Sequence, residues 1–316
     1  MKYNEMPVFG NMQGVRVIGT GTSIAGPVAC SLFAEQGADV IQIESTKAKD
    51  MVRSIGDIWT AEHRNNRTIA MNIRSEEGEE ILKKLLAQSD ILIEGSKGGT
   101  WDKWGLTDEV LWQINPALVI VHISGYGQSG DPDFVNRASY DPIGQAFSGW
   151  LYLQGDADRD PAIAKPYTND YVSAFATLFA ALAGYTYAQK TGKGQVVDVA
   201  QFEAMAQYMC GTYTAYTMTG KVGERSGNFN PAFQPYNLFK SKDGFLVALG
   251  AFGPGVYNRC IPAMGLDLEY FNYKDCSSGP AAVASEKGQE LNKTVIEWCA
   301  SHDAQEIELI MEERGK

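Results

Sequence analysis

Residues 15–45, VRVIGTGTSIAGPVACSLFAEQGADVIQIES, decide the fold. VRVIGT (15–20) is a largely apolar, β-branched run of strand length, and GTSIAG (21–26) is a glycine-bearing turn. PVACSLFAEQGA (27–38) reads as a helix with Pro27 at its first position, where a missing N–H costs nothing. DVIQIES (39–45) reads as a second buried strand. A strand, a helix and a strand joined so closely imply a parallel pair with a right-handed crossover. The pattern continues with TIAMNI (68–73), the helix SEEGEEILKKLLAQS (75–89), the strand DILIEG (90–95), the helix TDEVLWQI (107–114) and the strand ALVIVHIS (117–124). These strands are apolar throughout and do not alternate, so both faces of the sheet are expected to be covered. The fold class expected is α/β: a Rossmann-like open parallel sheet in a large domain, plus a smaller α+β domain.

Further along, the texture changes. QFEAMAQYMCGTYTAYTMTG (201–220) reads as one long, aromatic, Met-rich helical stretch, and GNFNPAFQP (227–235) is a loop. NLFKSKDGFLVALGA (237–251) predicts a hairpin around Lys242-Asp243-Gly244. The tail LNKTVIEWCASHDAQEIELIMEERGK (291–316) is helical to its last residues. The domains expected are 1–199 (large, ligand-binding), 200–227 (linker helix region) and 228–316 (small).

With 38 acidic against 27 basic residues the net charge is −11, which argues against nucleic acid or an anionic membrane as partner. An anionic ligand would need a local basic cluster. The five cysteines form no CxxC, so neither a disulfide framework nor a thiolate zinc site is expected, and a reducing cytoplasm fits. The start MKYNEMPVFGNMQG has no apolar core of a secretory signal. The uncharged run Tyr171 to Ala188 is long enough to raise a membrane question, but its Ser, Thr, Tyr and many Ala suit a buried helix. No HExxH, GxSxG or GxxxxGK[ST] occurs, and no metal is required.

Four places carry candidate chemistry. In the 19–27 turn, Ile24 stands where a dinucleotide fingerprint needs its third glycine; Glu44 could imitate the ribose-binding acid, so a nicotinamide oxidoreductase is a minor alternative. Lys97 and Lys103 follow a strand's carboxyl end, where open α/β sheets bind ligands; ordinary surface lysines fit the spacing equally well. The glycine-rich loop 124–150 offers Arg137, Tyr140, Asp141 and Gln145. Thr168, Asn169 and Asp170 stand where an Ala-rich helix begins. Asp170 reads as a helix N-cap, and the helix dipole would keep it ionised, which also suits a carboxylate nucleophile. His122 reads as a satisfied core imidazole inside an apolar strand, while His63 and His302 are scattered.

IAGP (24–27), FAEQGADVIQIE (33–44), SKG (96–98), TDEVLWQINP (107–116), SGYGQSGDP (124–132), QAFSG (145–149), KPYTNDY (165–171) and TGKGQVVDVA (191–200) carry a resemblance. From about Pro7 to Arg314 the chain resembles class III CoA-transferases, in the L-carnitine and bile-acid CoA-transferase group. The resemblance implies the class III CoA-transferase fold, an interlocked homodimer, and acyl-CoA and carboxylic acid substrates, with no permanently bound cofactor. It places the family's nucleophile on Asp170, which would form an aspartyl-CoA thioester. It assigns CoA contacts to Ala25, Arg74, Lys97, Lys103 and Tyr140. Trp104 stands where the carnitine enzymes have a second arginine, and GNFNPAFQP lacks the glycine run of formyl-CoA transferases. Racemase relatives carry a histidine where this chain has Tyr140, so CoA transfer is expected over acyl-CoA racemisation. Trp150, Leu151, Tyr152, Phe229, Phe233 and Tyr236 are candidates for an acyl pocket. Relatives continue past the equivalent of Lys316 with a ring-closing segment, so the chain reads as lacking that C-terminal return, and an inert CoA-binding fragment is a further alternative.

Overall fold

The computed structural model describes residues 8–314. Its contacts divide the chain into two compact units. The first takes in the described chain up to Tyr152 together with Ala162–Val222; the second is Leu153–Pro161 and the described chain from Gly223.

In the first unit, β1 (Arg16–Gly19), β2 (Asp39–Glu44), β3 (Arg67–Ala70), β4 (Ile91–Glu94), β5 (Val119–Ser124) and β6 (Val196–Ala200) form one sheet in the order β3-β2-β1-β4-β5-β6. Every pairing is parallel. The register explains the unbroken apolarity. Val40, Val17, Ile91 and Val119 form one row across the sheet, and Ile41, Ile18, Leu92 and Ile120 form the next, on the opposite face. The first row packs with α1 (Ala25–Glu35) and α8 (Thr168–Thr191), the second under α3 (Glu76–Leu86) and α5 (Asp108–Ile114). Each such side chain, fully buried, contributes about 1.5–3 kcal/mol.

The helices start where local chemistry dictates. Ser75 Oγ accepts the Gly78 amide at the head of α3, whose first turn holds Glu76, Glu77 and Glu79 and whose last holds Lys83 and Lys84. Thr107 caps α5 in the same way through the Val110 amide. In α1 the helix begins at Ala25, so Pro27 is its third residue, not its first. The missing N–H is still one of the first-turn donors that no helical carbonyl accepts. Between β2 and β3 lie a 3-10 turn, Met51–Ile55, and α2 (Asp57–Glu62).

The strand order reverses between β1 and β4, and there the loops meet glycine on glycine. A Cβ on Gly95 would lie 2.9 Å from the Gly21 Cα, and one on Gly26 would lie 3.1 Å from it. Backbone on both sides leaves no side chain free to move aside. Gly95→Ala is therefore expected to lower stability by about 1–3 kcal/mol, as overpacking does. Thermal or urea unfolding of the variant checks this; unchanged stability would show that the two loops can separate at no cost.

The 201–220 stretch is not one helix. It breaks into α9 (Gln201–Ala206), a 3-10 turn Gln207–Met209 and α10 (Thr212–Thr219), with Cys210 and Gly211 both at positive φ (44° and 82°). α9 packs on α8 and β6, so this region belongs with the first unit and is not a separate linker. α8 is long and apolar enough to cross a membrane by length and composition. In the fold it packs against α1, β5, β6 and α9 and buries Asn169, Asp170, Ser173 and Thr177. Before α8 come α4 (Thr100–Lys103), α6 (Pro132–Val135) and α7 (Asp141–Phe147).

The second unit contains the expected hairpin, β7 (Tyr236–Lys240) antiparallel to β8 (Leu246–Gly250). It is followed by α11 (Gly253–Ala263), the single turns α12 (Tyr273–Cys276) and α13 (Pro280–Val283), α14 (Glu286–Ser301) and α15 (Ala304–Arg314). The helical tail is thus two helices, interrupted at His302 and Asp303. Phe239, Tyr257, Ile261, Leu291, Val295 and Ile307 form a core of their own.

Candidate active site

Asp170 is the third residue of α8, and it does not cap its own helix. Tyr167, in the left-handed region at φ 47°, precedes the first turn and supplies no side-chain cap. The capping oxygen comes from α7: Asp141 Oδ1 accepts the amides of Asn169 (2.7 Å) and Asp170 (3.4 Å). Gln145 Nε2 donates to the other Asp141 oxygen at 2.6 Å, and Gln145 is itself fixed by both backbone groups of Ala164 at 3.0 Å. With the helix capped from elsewhere, the Asp170 carboxylate is free to face a different partner. That partner is Gln201, the first residue of α9, whose Nε2 donates to Asp170 Oδ1 at 2.7 Å.

Asp170 is 8% exposed and Asp141 is 4%. Burial, and then the charge of Asp141, push the Asp170 carboxyl up to about 7, although the Gln201 hydrogen bond pulls the other way. Asp141 is raised as well, by burial, against the pull of the Asn169 and Asp170 amides and Gln145. The sequence-based expectation that the helix dipole keeps Asp170 ionised is therefore corrected. A dipole contributes about 0.3–1 kcal/mol, whereas removing a carboxylate from water next to a second carboxylate costs several times more.

Asp170 and Gln201 stand at a cleft of about 430 Å³ on the carboxyl ends of the strands, at the switch point of the sheet. Its walls are the β1–α1 turn with the first turn of α1, the Gly95–Lys97 loop after β4, the end of β5, and residues 137–140, with Asp170 and Gln201 also lining it. Three sequence candidates, Ala25, Lys97 and Tyr140, are thus brought together with Asp170. Arg74 and Lys103 are not on this lining: Lys103 Nζ is 3.5 Å from Asn136 Oδ1, and Arg74 lies over the Trp104 ring at 5.6 Å.

Lys49 and Gln201 are among the lining residues that the sequence reading did not single out. Lys49 sits in the charged STKAKD run after β2, and Gln201 directly follows TGKGQVVDVA; each adjoins a strand's carboxyl end, which was the available signal. Lys49, Lys97 and Arg137 supply the local cluster of cations that an acidic chain needs for an anionic ligand. They share the cleft with the start of α1, which has no side-chain cap and no acidic residue in its first turn. Glu44 does not line the cleft. Its carboxylate pairs with both Nε (2.8 Å) and Nη2 of Arg53, which occupies the group a ribose would need.

None of the three histidines lines the cleft. His63 stacks on Trp59 at 3.4 Å and His302 on Trp298 at 4.4 Å, while His122 lies between the carboxylates of Glu94 and Asp108. Of the acyl-pocket candidates, Trp150 packs on the core of the first unit, and Phe233 meets Tyr236 and Phe252 edge-on in the second, at 5.0 and 4.7 Å.

The sequence profile of CoA-transferase family III matches residues 12–315. The chain is 40% identical over 314 residues to the bile acid CoA-transferase BaiK of Clostridium scindens, covering 98% of this chain and 70% of that protein. It is 42% identical over 243 residues to an L-carnitine CoA-transferase of Proteus mirabilis, covering 77% of this chain and 60% of that one. Among solved structures it is similar to a CAIB/BAIF family protein from Brucella suis, with TM-score 0.78 and 27% identity over 96% of this chain and 82% of that one. The fold is shared with Rv3272 from Mycobacterium tuberculosis, with TM-score 0.82 and 20% identity over 97% of this chain and 82% of that one.

Proposed function

The chain belongs to CoA-transferase family III, and we propose that it moves coenzyme A between an acyl-CoA and a free carboxylic acid with Asp170 as nucleophile. An ionised Asp170 oxygen attacks the thioester carbonyl, the C–S bond breaks, and CoA leaves as thiolate from a mixed acyl-aspartyl anhydride. The thiolate then attacks the aspartyl carbonyl and releases the first acid, leaving Asp170 as a CoA thioester. A second acid reverses both steps and departs as the new acyl-CoA. Donor, enzyme and acceptor are all carboxylic acids, so the intermediates lie close in energy and no other energy source enters.

The observation that carries this reading is a buried carboxylate, oriented by Gln201 and crowded by Asp141, opening on a cleft lined by Lys49, Lys97 and Arg137 together with Asp50, whose Oδ2 accepts the Ser23 amide. Crowding and dehydration raise the energy of the anion and so favour its attack. The relatives' names make betaine-like and steroid acids the first acceptors to try. Racemisation requires two bases on opposite sides of the α-carbon. Tyr140 lines the cleft where racemase relatives carry a histidine, and a phenol, with an unperturbed pKa of ~10, is a poor base at neutral pH, which favours transfer.

In this reading the phosphates of CoA meet Lys97 and Arg137 at the cleft and the N–H groups of α1. Replacing Lys97 and Arg137 together by alanine is expected to weaken CoA by about tenfold or more, each exposed pairing being worth ~1 kcal/mol. Dephospho-CoA should lose less, and Lys103→Ala should change little. Calorimetric titration of the two ligands tests this; equal losses for both would remove the 3′-phosphate from this rim. The reaction itself is tested by mixing the protein with an acyl-CoA and weighing it intact for a covalent CoA adduct that a free acid discharges.

A further inference from the structure

His122 and Glu94 face each other across β5 and β4, in register. Both are buried, at 5% and 1% exposure. His122 Nδ1 lies 2.7 Å from Glu94 Oε1, and Nε2 lies 3.0 Å from Asp108 Oδ1 at the start of α5. With a carboxylate on each ring nitrogen, neither is left to ligate a metal or to exchange a proton with a substrate. Burial works against charging the ring, but the hydrogen bonds and charges of Asp108 and Glu94 outweigh it and push its pKa up to about 10. The group is an imidazolium, and it supplies the countercharge that a buried glutamate needs.

Glu94 uses its second oxygen differently. Oε2 accepts the backbone N–H of Ser96 at 2.8 Å, two residues beyond the end of the strand. Gly95, Ser96 and Lys97 line the cleft. A second tie holds the far end of the same loop: the Gly99 amide donates to Gln128 Oε1 at 3.1 Å, and the Gln128 amide to Asp198 Oδ2 at 2.7 Å. Lys97 stands between the two ties with its side chain exposed.

We infer that His122 and Glu94 are positioning residues for coenzyme A, locking the Gly95–Lys97 loop so that Lys97 meets the ligand in one place. This rests on the CoA-transferase reading of the cleft. Among the described residues no hydrogen bond joins the clamp to Asp170, Asp141 or Gln201, so its loss is expected to act on binding and leave the covalent chemistry alone.

His122→Gln removes the cation while keeping a side-chain amide of similar reach. The KM for acyl-CoA is expected to rise about fivefold, the whole worth of an exposed Lys97 pairing, with kcat within about twofold of the unaltered protein. In a Lys97→Ala background the same change should add almost nothing, because the group being positioned is gone. A purely structural histidine would lower the unfolding temperature and leave KM unmoved, or would act additively with Lys97→Ala; either result in a folded variant overturns the inference. If His122→Gln does not fold, Asp108→Asn at the partly exposed helix start takes its place, with an expected KM rise of about threefold that Lys97→Ala likewise abolishes; an unchanged KM there overturns it equally. Calorimetry of the unaltered protein with CoA separates the two levels. If that protein fails to bind CoA, the CoA-transferase reading falls, and the inference with it.

Discussion

Asp170→Asn is expected to abolish CoA transfer, by about 10⁴-fold or more, and to eliminate the covalent CoA adduct seen when the unaltered protein meets an acyl-CoA. The substitution keeps the volume of the side chain and an oxygen to accept the Gln201 hydrogen bond, so the fold and the cleft should survive. What it removes is the only chemically essential property, an oxygen able to form and release an acyl bond. In the unaltered protein the same property sets the pH dependence. Only the ionised carboxylate attacks, and the carboxyl is raised to about 7, so kcat/KM should fall roughly tenfold per pH unit below that value and level off above it. An Asp170→Asn protein that still transfers CoA at more than about a hundredth of the normal rate would sink the nucleophile assignment.

Most of the fold was legible because parallel strands buried on both faces write themselves as unbroken apolar runs, as at residues 17–18, 40–41 and 91–93. The contact of Gly21 with Gly26 and Gly95 at the switch point was not legible, because it depends on which strands become neighbours in the sheet. The site was half legible. Asp170, Lys97, Ala25 and Tyr140 come together at one cleft, as expected of a single site, while Lys49 and Gln201 join from segments whose local sequence says nothing of their direction. The protonation of Asp170 could not be read at all. It depends on Asp141, twenty-nine positions away in the chain, and on burial, neither of which the helix-start pattern encodes. His122 is the satisfied core imidazole that its apolar strand suggested, although the strand alone does not show the two carboxylates that flank the ring. The break in the 201–220 stretch also escaped: Gly211 stood in the sequence as a signal, but nothing announced that Cys210 beside it also takes the left-handed conformation.

The same Asp170→Asn change is expected to stabilise the protein strongly, by an amount that grows from about pH 4 to about pH 7. In the unfolded chain the carboxyl titrates near its ordinary value of 3.8, whereas in the folded cleft it titrates at about 7. A group with a raised folded pKa favours folding while it is protonated in both states, below about pH 4. As pH rises the unfolded state loses its proton first, so stability declines until the folded carboxyl also ionises, and beyond pH 7 the full penalty persists. At about 1.4 kcal/mol per pH unit the difference amounts to roughly 4 kcal/mol by pH 8, enough to shift an unfolding temperature by on the order of 10 °C. Asparagine carries no charge to dehydrate and no repulsion from Asp141, so its unfolding curve should lack this decline. The two proteins should therefore match near pH 4, diverge up to about pH 7 and keep that separation to pH 8, with the inactive one the more stable. Thermal denaturation across that range measures it directly. A constant difference between the curves would mean that Asp170 reaches water in the folded protein, and that neither dehydration nor the neighbouring carboxylate primes it for attack.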